Sequence, residues 1–576
     1  MRTIITVVML SALAELICGS KASFGQVPDT VVVYANPPGL GGGPTFDQFI
    51  SGDTTATGQR NNPNRVYVLQ QTGSTDTLYF ITAPLIVQGY NLTIVGRPNP
   101  VTGKLPVIVP FIRPDNSSAW AYFLSRGGNI TLKNLYLLGR RTDQIVVTNN
   151  IINVSADSVR VTVDRCVVDG FNSYTIFFNA TKYCNLYVTN CEFRDMVGPA
   201  GGVWISAAAP TDTMQFLNNT FFDCQFAAYG ELGYIHYLNF QHNTLIFGCW
   251  SPLNTPQLWN GVISNNIFYA VASAGGDSTH IAALQKNPGA DQLGYAIIYL
   301  DTLVSLKNPP FNLTEAMRHV VVENNAYFWP QAIYNYWNLV NDTARNKLIP
   351  PQFMDKFASM MFGDHTRWPN LVAEHNDSVD PGFSASLVSA GTDSLVKFMY
   401  MLWTKGTAGS FRPIPYLTDP LNVYASVPQS WATTQGYPVP ENLAYTNTTL
   451  QKAGTDGFAL GDLNWFPAQL KLWEQGKPNP VESRTAQVPL NFALSQNYPN
   501  PFNPSTRIKV SLSHSGIMSL KIYNVLGQVV EVVDQGYKQA GEYTYDVNMN
   551  KFGSGVYIYM LREGENVIMK KMVLLK

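Results

Sequence analysis

Between Asn129 and Asn325 the chain repeats one phrase: alternating apolar and polar residues, a polar corner that is usually Asn, then a second apolar run. The copies read Ile130-Thr-Leu-Lys-Asn134-Leu, Val161-Thr-Val-Asp-Arg165-Cys, Leu186-Tyr-Val-Thr-Asn190-Cys, Met214-Gln-Phe-Leu-Asn218-Asn, Leu238-Asn-Phe-Gln-His242-Asn, Gly261-Val-Ile-Ser-Asn265-Asn and Val320-Val-Val-Glu-Asn324-Asn. Alternation with period two is strand spacing, not the 3.6 of a helical repeat. From Asn134 the fifth-position anchors advance by 31, 25, 28, 24 and 23 residues to Asn265, then by 59 to Asn324, a step that reads as two periods plus an insertion. A unit this small cannot bury its own apolar face and must stack on its neighbours. Strands that return at such intervals lie parallel to their counterparts, about 4.8 Å apart, so the pattern predicts a parallel β-helix. An anchor Asn suits a sharp corner, because it tolerates left-handed torsions and its amide can hydrogen-bond from rung to rung.

The flanks differ. Val66-Tyr-Val-Leu, Leu78-Tyr-Phe-Ile and Leu92-Thr-Ile-Val-Gly96 are short strands leading into the solenoid, whose exposed end needs a cap. After Tyr334 helical spacing appears at Pro351 to Phe362, Leu395 to Trp403 and Leu470 to Glu474. The expected organisation is a signal peptide at 1–25, a cap at 26–85, the β-helix at 86–335 with an insertion at 271–317, a mixed covering region at 336–476, a linker at 477–491 and a C-terminal domain at 492–576. Apolar alternation at 508, 510, 512; 518, 520, 522; 556, 558, 560; and 567, 569 makes that last domain a small β-sandwich. The fold class is therefore all-β, a solenoid followed by a sandwich.

Over roughly Pro84 to Pro330 the repeat pattern resembles the right-handed parallel β-helix proteins, the superfamily of pectate lyases and related polysaccharide-acting enzymes. In those families Ca²⁺ held on acidic residues neutralises a uronate while an Arg or Lys abstracts the α-proton. The resemblance makes Arg194, Lys182 and Arg165 candidates for the base. Asp195 and Asp223, five residues beyond Asn190 and Asn218, would sit one above the other and share the metal, or else are solvated turn residues. The sharper signatures of the pectate lyases and polygalacturonases are absent.

Ser495-Gln-Asn-Tyr-Pro-Asn-Pro-Phe-Asn-Pro-Ser-Thr506, Leu520-Lys-Ile-Tyr-Asn-Val-Leu-Gly527, Ser554-Gly-Val-Tyr-Ile-Tyr559 and the final Lys570-Lys-Met-Val-Leu-Leu-Lys576 closely resemble the type A C-terminal sorting domain of the type IX secretion system. That resemblance implies export across the outer membrane by this machinery, then release or attachment at the surface.

Other clusters carry chemistry less sharply. His236 and His242, with Glu231 and Tyr234 nearby, supply too few ligands for zinc. Asp456, Asp462 and Asn464 read as a cation site or a turn held by Asx side chains. Met1-Arg2 and the apolar run Ile4 to Ala14 form a signal peptide, with Gln26 as the mature start, and no other run is long enough for a membrane helix. Five cysteines remain; Cys166 and Cys191, and Cys224 and Cys249, lie one period apart as a thiol stack or as disulfides. With 13% charged residues and a net charge of −1, no basic field is available to attract nucleic acid.

The chain thus reads as a secreted or outer-membrane-surface protein whose partner is polysaccharide, acting as a lyase or glycoside hydrolase or else as a non-catalytic adhesin or structural module. A stacked acid and base set lining a groove favours cleavage. A groove of Asn, Thr and aromatics without convergent charge favours binding.

Overall fold

The computed structural model describes residues 29–36, 43–72, 77–141, 148, 150–171, 174–179, 181–194, 196, 203–205, 211–224, 226–230, 233–249, 251–273, 275–277, 296–303, 314–343, 348–405, 442–476, 492–512, 516–538, 541–563 and 566–576. The expected signal peptide, the whole of the linker and parts of the 271–317 insertion lie outside them.

Alternation does what the pattern demands. Ile130, Val161, Leu186, Met214 and Leu238 stack in one inward column and Leu132, Val163, Val188, Phe216 and Phe240 in the next, each at most 1% exposed. Each rung gives one strand to each of three parallel sheets: eleven strands from Thr30–Val33 to Leu371–Glu374, ten from Leu78–Ile81 to Asp377–Ser378, and nine from Leu85–Val87 to Gln352–Met354. This is a parallel β-helix. Its inner surface is one continuous apolar core in which Phe193 and Phe221 stack 5.0 Å apart.

Four features depart from the expectations. Strands before residue 86 and after residue 335 complete rungs, and the rung Leu371-Val-Ala-Glu-His375-Asn376 went unread because a helical segment precedes it. The 59-residue step is one turn, since Leu258–Ser264 pairs directly with His319–Glu323; the extra residues form an excursion from that turn. The continuous amide ladder belongs to the residue after the anchor: Asn219 Nδ2 donates to Asn243 (2.9 Å), Asn243 to Asn266 (3.1 Å), Asn266 to Asn325 (2.9 Å) and Asn325 to Asn376 (2.8 Å). Cys191 and Cys166 occupy that position in earlier rungs, and all five described cysteines are buried free thiols. The anchors themselves supply the bend, with φ between 51° and 59° at all seven.

Helix Phe46–Gly52 closes the N-terminal end by inserting Phe46 and Ile50 into the core. The C-terminal sandwich packs a three-stranded sheet against a four-stranded one. Ile508, Val510, Leu512, Met518, Leu520 and Ile522 are fully buried as expected, but parity is inverted in the last hairpin. There Tyr559, Leu561, Met572 and Leu574 point inward, while Val556, Ile558, Val567 and Met569 are exposed. Among the described residues no helix is long and apolar enough to cross a membrane.

Replacing Asn266 by Leu removes an amide that both donates and accepts inside the ladder: the Asn243 backbone N–H loses its acceptor, the Asn243 side-chain amide keeps only the Phe216 carbonyl, and the Phe240 carbonyl loses a donor. Each orphaned buried group costs about 1–3 kcal/mol, so Asn266→Leu is expected to lower the denaturant midpoint by an amount equivalent to about 3 kcal/mol, whereas an outward Asn239→Thr should move it by less than about 0.5 kcal/mol.

Candidate functional site

The eleven-stranded sheet turns its non-core residues outward, and alternation fixes which these are. Thr162, Tyr187, Gln215 and Asn239 form one column, and Asn185, Thr213 and Tyr237 its neighbour, all half-buried. The middle of this face is uncharged hydroxyl, amide and aromatic surface. At one margin His236 stacks on Trp259 with ring centroids 4.6 Å apart and lies 3.1 Å from Asp212 through Nδ1. Arg160 lies over the Tyr187 ring at 5.7 Å.

At the other margin the face meets a strap, residues 442–476, that runs along the anchor row against the order of the rungs. Asn324 donates to the Ala453 carbonyl, Asn265 exchanges hydrogen bonds with Thr455 (2.9 and 3.0 Å), and His242 meets Asp456 (2.9 Å) and the Ala459 carbonyl (3.0 Å). Asp462 accepts from Thr220 (2.7 Å), Asn464 donates to the Asn218 carbonyl (2.9 Å), and Glu474 pairs with Arg165. Gly461 has φ +76°, and a Cβ there would lie 2.5 Å from the Thr244 hydroxyl, so only glycine lets the strap lie this close. The Asp456, Asp462 and Asn464 cluster is therefore occupied in fastening the strap.

Both ring nitrogens of His242 face oxygen acceptors, the arrangement of an imidazolium. Burial alone would push its pKa down, but the Asp456 carboxylate and the Ala459 carbonyl outweigh that and hold it above its ordinary value. Asp456 is held low against the opposing effect of burial by His242 and by the Trp473 N–H; a third of its side chain is exposed, which keeps the carboxylate charged. Asp462, enclosed, is pushed up to about 7 by burial.

Where the strap ends, a cavity of about 240 Å³ opens beside the outer face, with Lys133, Asp164, Arg165, Asn190, Asn218 and Trp473 in its wall. Asp164 accepts from Thr189 (2.8 Å) and Arg165 (2.9 Å) and lies 3.7 Å from Lys133 Nζ. Burial opposes the charge on Arg165, but Asp164 and Glu474 hold its pKa above the usual guanidinium value, so it stays a cation.

Of the residues nominated from sequence, Arg165 lines this cavity and the others are not gathered with it. Arg194 is fully buried, with its Nη1 3.9 Å from Asp169, a carboxylate that also accepts from Tyr136 and Arg140. Lys182 is exposed at the corner before Cys184–Thr189, whereas Arg194 ends Glu192–Arg194 in another sheet. Asp223 is buried in a left-handed corner after Thr220–Phe222, and Asp195 lies outside the described residues. Asp223 by itself falls short of the several oxygens calcium takes, and no three metal-ligating side chains converge among the described residues. His236 and His242 occupy opposite ends of one strand, and Glu231 lies outside the described residues. Sequence reasoning passed over Asn190, Asn218, Asp164, Lys133 and Trp473. The first two stood in the repeat as anchors, but nothing in the repeat shows which anchors the strap leaves uncovered.

Arg194→Met removes one cation from a buried carboxylate and is expected to cost about 3 kcal/mol in denaturant unfolding, with ligand binding of the folded fraction unchanged. The strap should loosen as pH rises. The stabilisation from His242 is complete below 6.5 and is lost as pH climbs through its raised folded value; that from Asp462 declines between 3.8 and about 7, and that from Asp456 disappears only in acid below 3.8. Amide hydrogen exchange across residues 453–474, corrected for intrinsic rates, is expected to show protection falling from mildly acidic pH to above neutrality, with a shallower fall in His242→Asn, which keeps the corner and removes the titration.

No curated protein shows significant similarity to the chain. Residues 496–575 match the family described as the secretion system C-terminal sorting domain, so the chain ends in a type IX sorting domain and is an exported protein, secreted or held at the cell surface.

Proposed function

We propose that this exported β-helix binds polysaccharide along the outer face of its eleven-stranded sheet and does not cleave it. The observation that carries the reading is the face itself: Tyr187 and Tyr237 flanked by Gln215, Asn239 and Thr213, with the His236–Trp259 stack at its margin. Aromatic rings offer flat apolar area to the C–H faces of sugars at low entropic cost, and neighbouring amides and hydroxyls both donate and accept toward sugar hydroxyls. Rigid parallel strands hold these groups at a fixed spacing, so an extended polymer meets a preorganised surface.

Cleavage is the less supported reading. Glycoside hydrolysis uses two carboxyl groups flanking the bond, and among the described residues lining the cavity Asp164 alone carries one, already engaged by Arg165 and Thr189. A lyase needs a base that can lose its proton; Arg165 is held charged and Arg194 is buried. The export domain agrees with a partner outside the cell.

The test is incubation of the purified mature protein with a panel of soluble and insoluble polysaccharides, with and without Ca²⁺, scoring retention, reducing ends and absorbance in the unsaturated-uronate band. Retention of at least one polymer without new ends is expected, with Trp259→Ala and Tyr237→Ala each weakening it about tenfold, ~1.4 kcal/mol. Retention of none would overturn the reading, and release of products would replace it by the catalytic one.

A further inference from the structure

We propose that the outward face of the four-stranded sheet in the C-terminal sandwich, together with the turn at its end, docks on an anionic lipid surface. The two outer faces of that sandwich differ in kind. On the three-stranded sheet the outward positions are solvated: Arg507 donates twice to Asp546 (2.7 and 3.1 Å) across the strand pair, and Ser505, Lys509 and Thr544 are exposed beside them. On the four-stranded sheet one outward row reads Val532, Lys521, Met560, Met569 from strand to strand. The next reads Val529, Tyr523, Ile558, Lys571. No Asp or Glu stands in either row, because Glu531 and Asp534 of the edge strand sit opposite inward-facing Ile522 and Leu520. Met569 is 62% exposed, and Val529 and Val532 are 49% each. Apolar residues scattered singly over a surface are ordinary, whereas a contiguous apolar area of a few hundred Å² marks a place where something docks.

The rows end at a turn that is both ordered and apolar. Asn524 Oδ1 accepts from the backbone N–H groups of Leu526 and Gln528, each at 3.0 Å, and Gly527 takes φ +77°. These contacts fix the turn, yet it holds Val525 and Leu526 71% and 78% exposed. Val556 and Val573 pair one step beyond Ile558 and Lys571 toward the same end, so the tip and the sheet face form one apolar surface.

Shape and charge select the occupant. Apolar side chains on a projecting tip enter the boundary between headgroups and acyl chains without a pocket cut to their shape. Lys521 and Lys571 stand among valines, methionines and an isoleucine. Their aliphatic stems extend the apolar surface while the ammonium groups reach headgroup phosphates, the usual way lysine serves an anionic interface. A second copy of the chain would bring the same lysines together with no acid in either row to meet them, and like charges brought together oppose association. The sorting domain belongs to an exported chain, so the outer membrane is a surface within its reach.

The experiment is flotation of the full mature chain with vesicles of phosphatidylcholine alone and of phosphatidylcholine mixed with phosphatidylglycerol or with lipid A, at low and at high salt. Binding to the anionic vesicles is expected, about tenfold or more tighter than to phosphatidylcholine and weakened by salt. The double change Val525→Ser, Leu526→Ser, at exposed turn positions outside both strand ladders, should weaken it by about tenfold or more. Lys521→Gln and Lys571→Gln should each weaken binding to anionic vesicles about fivefold and leave binding to phosphatidylcholine unchanged, whereas Lys509→Gln on the opposite face should act by less than about twofold. Absence of flotation, equal binding to neutral and anionic vesicles, or flotation that survives the turn variant would each overturn the lipid surface. So would a concentration-dependent dimer that the turn variant abolishes, which would give the face to a second copy, and flotation only with vesicles carrying outer-membrane proteins, which would give it to a protein partner.

Discussion

A left-handed backbone corner, placed identically in successive rungs from Asn134 to His375, is the constraint on which this molecule depends. With φ near +55° at one residue, the strand before it and the strand after it diverge at a fixed angle, and successive copies pair in parallel register. Asn and His adopt this conformation more readily than most residues, Arg less so. Among the seven anchors from Asn134 to Asn324, the two that are not Asn, Arg165 and His242, are the two that make ionic contacts with the strap, through Glu474 and Asp456. Between Asn134 and Asn324 the ionic fastenings of the strap fall at the two departures from the repeat, and the neutral ones at Asn anchors.

One corner organises two layers of polar chemistry. Inside, the residue after the anchor builds a dry amide ladder from Asn219 to Asn376, in which each amide serves its neighbour and the end of the ladder is met by the Cys191 N–H. Outside, the anchors face the strap, and they are completed wherever it offers polar groups. Asn190 and Asn218 fall between these arrangements. Their incompleteness follows from the strap's course, which places an indole where hydroxyl and carboxylate groups stood earlier.

The fold was largely legible because it is written locally. A period of two within phrases and of about 25 between them is a one-dimensional signal, and it fixed sheet type, inward residues and the position of the bend. It failed where geometry is nonlocal. The amide ladder was assigned to the anchor because both positions carry Asn in several phrases, and only the stacking of rungs shows which one points inward. The long step was divided in two because an excursion of one rung and an additional rung have the same length in sequence. In the tail, the apolar alternation at Val556 and Ile558 marks the strand but not its inner face: Tyr559, amphipathic, carries its hydroxyl to Asn497 and Ser495 and takes the interior. The site was barely legible at all: Arg194 was chosen for its charge and proximity, yet that charge is what keeps it buried beside Asp169.

The strap's direction has a mechanical meaning for a protein fixed through its C-terminal domain. Tension applied from that end enters the solenoid at Glu474 and Arg165, in an early rung, and not at the last rung that the chain completes before crossing back. Pulling from that end therefore meets the fasteners from Glu474 back to Ala453 before it reaches the final turn. A coil held in this way resists unwinding from its tethered side.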